Sequence, residues 1–231
     1  MKYLSMILPV VFLNLLFACD NNVGSQEDIL FQTVAPDTVP YRIPAFGQLV
    51  DGRILALSDY RPCGMDIGFG QVDIHGRISS RDRRRWGDEF VLVEGTGVAA
   101  TVDCGFGDPA MVVDRQTGEI LVMMVCGNTI YYYESTNRQN PNRVACMRSN
   151  DGGKTWTSWE EVTENIYTLF DESSHGCVQS CFFSSGKIAQ SRIVKQGFIV
   201  FECFECCCRY VIFCHKLLRE ILACLNCGSS L

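Results

Sequence analysis

The sequence lacks the features that mark several common classes of protein. It has no excess of positive charge, since 20 Lys and Arg stand against 26 Asp and Glu for a net charge of −6. A nucleic-acid-binding protein normally carries a basic face, so we expect no nucleic-acid partner. The sequence also contains no Gly-x-Ser-x-Gly elbow, no His-Glu-x-x-His and no phosphate-binding loop. These absences argue against the hydrolase, zinc-peptidase and nucleotide-binding classes that depend on those motifs.

Long stretches with helical periodicity are also missing, so we expect few helices. Short apolar runs are present instead, at residues 54–57, 90–93, 110–113 and 120–125. The segments between them carry turn signals, at Asp51-Gly52, His75-Gly76, 105–109 and Thr117-Gly118. The last of these signals predicts a hairpin between the two final runs. The pattern is typical of an all-β sandwich, barrel or propeller, and periodicity alone does not choose among these.

The N-terminal segment resembles an export signal. Residues 1–18 start with Met-Lys, continue with an apolar run and end in Leu-Phe-Ala, directly before Cys19. This ending resembles the bacterial lipobox, which predicts lipidation of Cys19; the alternative is an ordinary cleaved signal with Cys19 incidental. The polar residues 19–28 are then interpreted as a tether. We expect an exported protein of the cell envelope, in the periplasm or the outer membrane, attached to the membrane by its lipid anchor.

Cysteine is distributed unevenly along the chain. Of the 14 cysteines, seven lie in residues 196–231. This change in composition predicts that 196–231 is a frame-shifted or disordered tail. An alternative is a zinc ribbon, since two Cys-x-x-Cys pairs have suitable spacing: Cys203 with Cys206 and Cys224 with Cys227. The oxidising setting of an exported protein favours disulfides or disorder over structural zinc.

One segment fits the pattern Ser-x-Asp-x-Gly-x-Thr-Trp at every fixed position: Ser149, Asp151, Gly153, Thr155 and Trp156. In such a hairpin turn the serine and aspartate accept hydrogen bonds from turn amides, and the glycine permits a positive φ. The tryptophan packs back over the strand. We therefore predict a structural role for this aspartate, because the turn amides occupy its carboxylate. This motif is the Asp-box, and 80–86 is an eroded copy, one residue shorter and with Arg84 in place of glycine.

Two motifs lie upstream of the Asp-box. They are Tyr41-Arg42-Ile43-Pro44, and Arg61 followed after four residues by Asp66. With the Asp-box, and in this order, they resemble the bacterial exo-α-sialidase family, in particular its exported lipoproteins of the Bacteroides type. The resemblance covers residues 29–195 and implies a six-bladed β-propeller, of which this chain holds the first blades. It implies cleavage of terminal sialic acid from glycoconjugates with retention, with no metal or other cofactor.

The resemblance also implies roles for individual residues. Arg42 corresponds to one member of a carboxylate-binding arginine triad, and Arg61 lines the same pocket; a guanidinium fork matches the two oxygens of a carboxylate. Asp66 corresponds to the acid/base, and Asp108 contacts the sugar rim near its 4-hydroxyl. Each residue also has an alternative interpretation. Arg42 is then a strand-end salt bridge and Arg61 a solvated loop charge. Asp66 is a turn aspartate, and Asp108 belongs to an Asp-Pro turn.

The family also uses a tyrosine nucleophile, its glutamate partner and two further arginines, which lie in later blades. The sequence ends before them, so we expect a truncated chain that is inactive as written. The alternative function is a non-catalytic surface lipoprotein whose propeller blades bind glycans or proteins. Arg42 together with Arg61 and Asp66 favours the enzyme lineage, because a simple scaffold does not need this set.

Overall fold

The structure is a computed structural model of the chain. It describes the following residues: 29–33, 41–130, 137–171, 186–191 and 198–200. Several predicted features lie outside these residues. They are the signal peptide, the lipidation at Cys19, the tether and the four cysteines of the alternative zinc ribbon. Within the described ranges, no helix has both the length and the apolar character needed to cross a membrane.

Two antiparallel sheets make up most of the described chain. The first has the strand order β1-β2-β3-β4, with bounds Tyr41–Gln48, Ile54–Tyr60, Asp73–Ile78 and Phe90–Val93. The second has the order β8-β7-β6-β5-β9, and its strands in chain order are Phe106–Val113, Ile120–Cys126, Arg143–Ser149, Glu160–Glu161 and Gly186–Lys187. Only the pair β5–β9 in this sheet is parallel. A helix α1 (Thr163–Asp171) follows β8, and β10 (Ala189–Ser191) pairs with β11 (Phe198–Val200).

The two large sheets share one hydrophobic core. Leu57 of β2 packs in this core with Met111 of β5 and Val122 of β6. The opposite face of β6 is also covered, since Met123 lies in a second cluster with Ile166 of α1. Because both faces are buried, β6 is a continuous apolar run rather than an alternating one.

The short apolar runs lie in strands, and the predicted hairpin joins β5 to β6 with Val113 paired to Ile120. The turn prediction for His75-Gly76 was wrong, because these residues lie inside β3. A Cβ at Gly76 would collide with the ring of Phe90. Glycine is therefore needed there for close packing between strands, not for a turn.

The turn prediction for residues 105–109 was also wrong, because β5 begins at Phe106 and runs through the segment. A Cβ at Gly107 would lie 3.1 Å from Oδ2 of Asp59 and 3.2 Å from the side chain of Ile67. This glycine marks a close approach between the second sheet and a buried carboxylate of the first.

The strands define two ends of the molecule. At the site end, Tyr60 at the end of β2 pairs with the first residues of β1 and β3. Here the backbone N–H of Asp108 donates to Oδ1 of Asp59 at 3.0 Å, which links the two sheets. The turn end carries the β1–β2 turn and the turns that follow β3 and β7. Nη2 of Arg53 donates there to the carbonyl of Gly152 at 3.4 Å.

Candidate active site

A β-bulge interrupts both β1 and β5 at the site end. The register of β1 shifts around Ile43-Pro44, and that of β5 shifts around Asp108-Pro109. The residue before each proline has a positive φ, 55° for Ile43 and 52° for Asp108. This left-handed conformation is rare for a β-branched residue and disfavoured before proline. Strained backbone of this kind concentrates at functional sites, so the two bulges mark this end as the candidate site.

Arg42 lies immediately before the first bulge and is exposed. It is the register partner of Asp59, so the two side chains project from the same face of the sheet. Its backbone carbonyl accepts a 2.8 Å hydrogen bond from Oγ of Ser58. Its guanidinium makes no ion pair with any residue that the structure describes. The alternative of a strand-end salt bridge therefore has no support there, and the guanidinium can meet a ligand.

Arg61 directly follows β2 and is only 1% exposed. Its Nη2 lies 2.8 Å from Oδ2 of Asp59 and 3.1 Å from Oδ1 of Asp66. The alternative of a solvated loop charge is therefore wrong. A guanidinium is tolerated at this depth because Asp59 accepts its hydrogen bond and the carboxylate of Asp66 lies within ion-pair distance.

Asp59 is a site residue that the sequence analysis missed. It is fully buried, and it accepts hydrogen bonds from Arg61 and from the backbone of Asp108. Burial raises the pKa of Asp59 to about 8, since desolvation and the nearby Asp108 carboxylate outweigh the opposing effect of Arg61 and the backbone donor. The available signal was an aspartate in an apolar strand two residues before an arginine, because charged residues are almost never fully buried unless they are paired.

Asp66 lies on the loop between β2 and β3, and its side chain is 42% exposed. Its Oδ1 accepts a 2.8 Å hydrogen bond from the amide of Ile67 and faces Arg61. Gly64 and Gly68 flank it with φ values of 73° and 98°, which shape the loop. The alternative of a turn aspartate accounts for Oδ1 alone. Oδ2 makes no hydrogen bond within the described residues.

Asp108 lies within β5 and is 9% exposed. The alternative of an Asp-Pro turn is therefore wrong. The bulge turns the amide of Asp108 toward Asp59, and its carboxyl group acts electrostatically on both Asp59 and Arg61. The structure thus brings Asp59, Asp66 and Asp108 together around Arg61, with Arg42 on the adjacent strand.

The Asp-box segment lies at the turn end, opposite this cluster. Asp151 Oδ1 accepts from the amides of Lys154 and Thr155 at 2.9 Å, and Oδ2 accepts from the Thr155 hydroxyl at 2.6 Å. Ser149 Oγ accepts from Gly153 N at 2.9 Å. The hydrogen bonds from Thr155, with those from Ser149 and Lys154, hold the pKa of Asp151 far below its usual range.

The indole of Trp156 completes the same turn by donating to the carbonyl of Gly153 at 3.2 Å. Ile78 of the first sheet also lies close, 3.0 Å from where a Cβ on Gly153 would stand. The Asp151 carboxylate is therefore fully engaged in shaping its own turn, and the turn itself packs on the first sheet.

Comparison with curated proteins gives two relatives. The chain is 37% identical over 131 residues to a sialidase of Micromonospora viridifaciens, a match that covers 54% of this chain and 20% of that protein. It is 26% identical over 137 residues to a sialidase of Paraclostridium sordellii, covering 58% of this chain and 33% of the relative. The chain is similar to sialidases. It spans between a fifth and a third of these two relatives, and no protein-family model matches it.

Solved sialidase structures share the fold. A Hadza microbial sialidase superimposes with a TM-score of 0.53 at 23% identity, over 66% of this chain and 30% of its own. A mutant of the NanB sialidase from Streptococcus pneumoniae gives 0.52 at 11% identity, over 80% of this chain and 45% of its own. At these identities the likeness concerns the fold alone. Lipidation at Cys19, export and the number of propeller blades stay predictions.

Proposed function

We propose that the site end is part of a sialic-acid-cleaving glycoside hydrolase site. The observation that carries the proposal is the pair of Arg61 and Asp66, a buried guanidinium 3.1 Å from a carboxylate that is 42% exposed. The exposed Arg42 lies on the adjacent strand. The similarity to curated sialidases supports the same substrate class.

The ligand in this proposal is a terminal sialic acid of a glycoconjugate, which carries a carboxylate beside its anomeric carbon. Arg42 binds this carboxylate, because its guanidinium is exposed and presents a fork of N–H donors. Arg61 adds a fixed positive charge at the floor of the site, where low solvent exposure strengthens its effect. Asp108 lies beside it, at the position expected to meet the 4-hydroxyl end of the sugar.

Asp66 is the proposed general acid and base. Its Oδ1 is held by Arg61 and by the Ile67 amide, while the side chain as a whole stays 42% exposed. Oδ2 donates a proton to the glycosidic oxygen of the leaving group, and in a second step it takes a proton from the attacking water. Cleavage with retention also needs a nucleophile, which we assign to no residue of this chain. We therefore assign carboxylate binding and proton transfer to the described site.

The test is binding of 3′-sialyllactose to the full chain, measured by calorimetry, with lactose as the uncharged reference. We expect the sialoside to bind and Arg42→Gln to weaken this binding about tenfold, the value of a single charged hydrogen bond. Asp66→Asn retains binding and lowers any turnover of a fluorogenic sialoside by about 10²-fold or more. Lys154→Gln removes a positive charge at the turn end and serves as the matched control. Equal binding of lactose, or no effect of Arg42→Gln, would refute the proposal.

A further inference from the structure

A run of arginines occupies the turn between β3 and β4 at the turn end, opposite the candidate active site. The members are all exposed: Arg81, Arg83, Arg84 and Arg85. Nε of Arg83 donates to the carbonyl of Gly52 at 3.0 Å. The guanidinium groups of the other three form no hydrogen bond or ion pair within the described part of the chain. The run also contains the exposed Asp82, but it keeps a net positive charge and forms a basic patch on a chain whose net charge is −6.

This patch borders an open groove of about 380 Å³. Arg53, Arg85 and Trp86 contribute to its walls. Arg53 is held in place, since its Nε lies 2.7 Å from Oδ2 of Asp51 and its Nη2 donates to the carbonyl of Gly152. The groove is shallow and open to solvent, so a ligand would lie along the surface and not inside an enclosed cavity. The groove therefore presents two arginines and one aromatic ring to whatever binds it.

The backbone of the turn is strained at Arg83, whose φ is 61°. The corresponding stretch of the Asp-box turn uses Gly152 and Gly153, with φ values of 75° and 85°. Glycine adopts this conformation without cost, whereas arginine does not. Arg83 hydrogen-bonds to Gly52 and so connects its own turn to the β1–β2 turn. This contact holds Arg53 and Arg85, which line the groove from these two turns, in a fixed relative position.

We propose that this basic groove binds a polyanionic glycan, a sugar chain that carries several sulfate or carboxylate groups. The guanidinium fork of Arg85 matches such groups, which accept two parallel hydrogen bonds, whereas Arg53 is already engaged by Asp51 and Gly152 and lines the groove. The indole of Trp86 offers an aromatic surface to the apolar face of a sugar ring. The other arginines of the patch attract the remaining anionic groups of the glycan. They add no affinity for a single neutral sugar.

This glycan binding goes beyond the proposed hydrolysis and does not depend on it. The groove and the pair of Arg61 and Asp66 lie at opposite ends of the same strands. A glycan held in the groove therefore leaves the site end open, and it keeps the protein close to other anionic glycans of the same surface. Holding it there raises the effective concentration of sialylated chains at the site.

The experiment uses the full chain and measures binding of a heparin oligosaccharide, a sulfated glycan, with neutral dextran as the reference. We expect the heparin fragment to bind and dextran not to bind. Heparin binding should weaken as salt is added, because salt screens exposed charges. Arg85→Gln should weaken heparin binding about tenfold, the loss of a charged hydrogen-bonding pair. Arg84→Gln is the matched control, because it removes the same charge from the same turn but lies outside the groove lining. We expect it to cost about threefold or less, through screened long-range attraction alone.

Several outcomes would overturn the proposal. Equal losses in Arg84→Gln and Arg85→Gln would show diffuse surface charge without a binding groove. Binding of a DNA duplex or of phosphatidylglycerol vesicles as tightly as heparin would show a general preference for polyanions. Arg85→Lys keeps the charge and loses the fork, so retention of full affinity would refute bidentate recognition. An unchanged thermal midpoint of each variant shows that it is folded.

The two proposals can fail independently. Arg42→Gln should leave heparin binding unchanged, and Arg85→Gln should leave 3′-sialyllactose binding unchanged. Loss of heparin binding in Arg42→Gln would place the sulfated glycan at the site end and would refute the groove.

Discussion

The two ends of the molecule use carboxylates in opposite ways. At the turn end Asp151 is exposed and its oxygens accept hydrogen bonds from its own turn, with Thr155 as the main donor that lowers its pKa. At the site end Asp59 is buried, and desolvation raises its pKa to about 8. The first carboxylate is held only by neighbours in its own turn, whereas the second is held by nearby Arg61 and also by the amide of Asp108, 49 residues away in another sheet. Local hydrogen bonds thus shape the fold, whereas burial of charge across sheets creates a group with altered chemistry.

The turn end itself contains two versions of one turn. In the turn after β3, Ser80 Oγ donates to Oδ1 of Asp82 and accepts from the amide of Arg85, as Ser149 does with Asp151 and Gly153. The hydrogen bond from Ser80 also lowers the pKa of Asp82.

The eroded turn lacks the threonine that gives Asp151 two further hydrogen bonds. The amide of Arg84 donates to Asp82 at 3.2 Å in its place. The hydrogen-bond pattern therefore survives in part where the sequence pattern has eroded, which explains why 80–86 still closes a turn.

The largest expected effect breaks the site end. Asp59→Ala removes the acceptor of Arg61 and of the Asp108 amide and leaves both donors buried, so we expect the free energy of unfolding to fall by about 3 kcal/mol. Urea denaturation followed by circular dichroism measures it. Asp51→Ala at the turn end is the matched control, because it breaks the more exposed pair with Arg53, worth about 0.5 kcal/mol. Equal losses in the two variants would contradict the contrast between the ends.

Features that depend on neighbouring residues could be predicted from the sequence. The strands around residues 54–57 and 120–125 and the hairpin after Val113 were predicted correctly. The two failed turn predictions share one cause, since Gly76 and Gly107 are glycines because another chain segment approaches them closely. Such an approach depends on the packing of distant segments, which a glycine in a one-dimensional pattern does not reveal.

The site was only partly predictable for the same reason. Arg42, Arg61 and Asp66 are carried by short motifs, so their positions at one end follow from a local resemblance. The role of Asp59 depends on a contact with Asp108 of the other sheet, and no spacing rule connects them. Arg61 is buried beside the carboxyl group of Asp59, and no local pattern reveals that burial, so the residue was open to interpretation as a solvated charge.

A smaller effect sharpens the comparison between the two turns. Ser149→Ala removes the acceptor of the Gly153 amide at a buried position, and we expect a loss of about 1.5 kcal/mol in the free energy of unfolding. Ser80→Ala removes the same hydroxyl at a less buried position, where water replaces it, so the expected loss is about 0.5 kcal/mol. Thermal or urea unfolding of the two variants in parallel measures both losses. A larger loss for Ser80→Ala would show that the eroded turn is the more important one for stability.

The pH dependence of stability should have opposite signs at the two ends. The pKa of Asp59 is raised in the folded state, so its contribution to stability is complete below about pH 4 and declines as the pH rises toward about 8. The pKa of Asp151 is lowered, so its contribution is present above about pH 4 and is lost in more acidic solution. In the unchanged protein the thermal midpoint should therefore fall from acid to neutral pH. In Asp59→Asn this fall should be absent.

Asp151→Asn should instead lose part of the fall below about pH 4, since its side chain cannot be protonated there. Each variant acts as the control for the other, because the two side chains lie at opposite ends. If both substitutions altered the thermal midpoint in the same pH range, the buried and the exposed carboxylate would titrate alike. The raised pKa at the site end would then be wrong, and with it the view that burial across sheets sets the chemistry of this end.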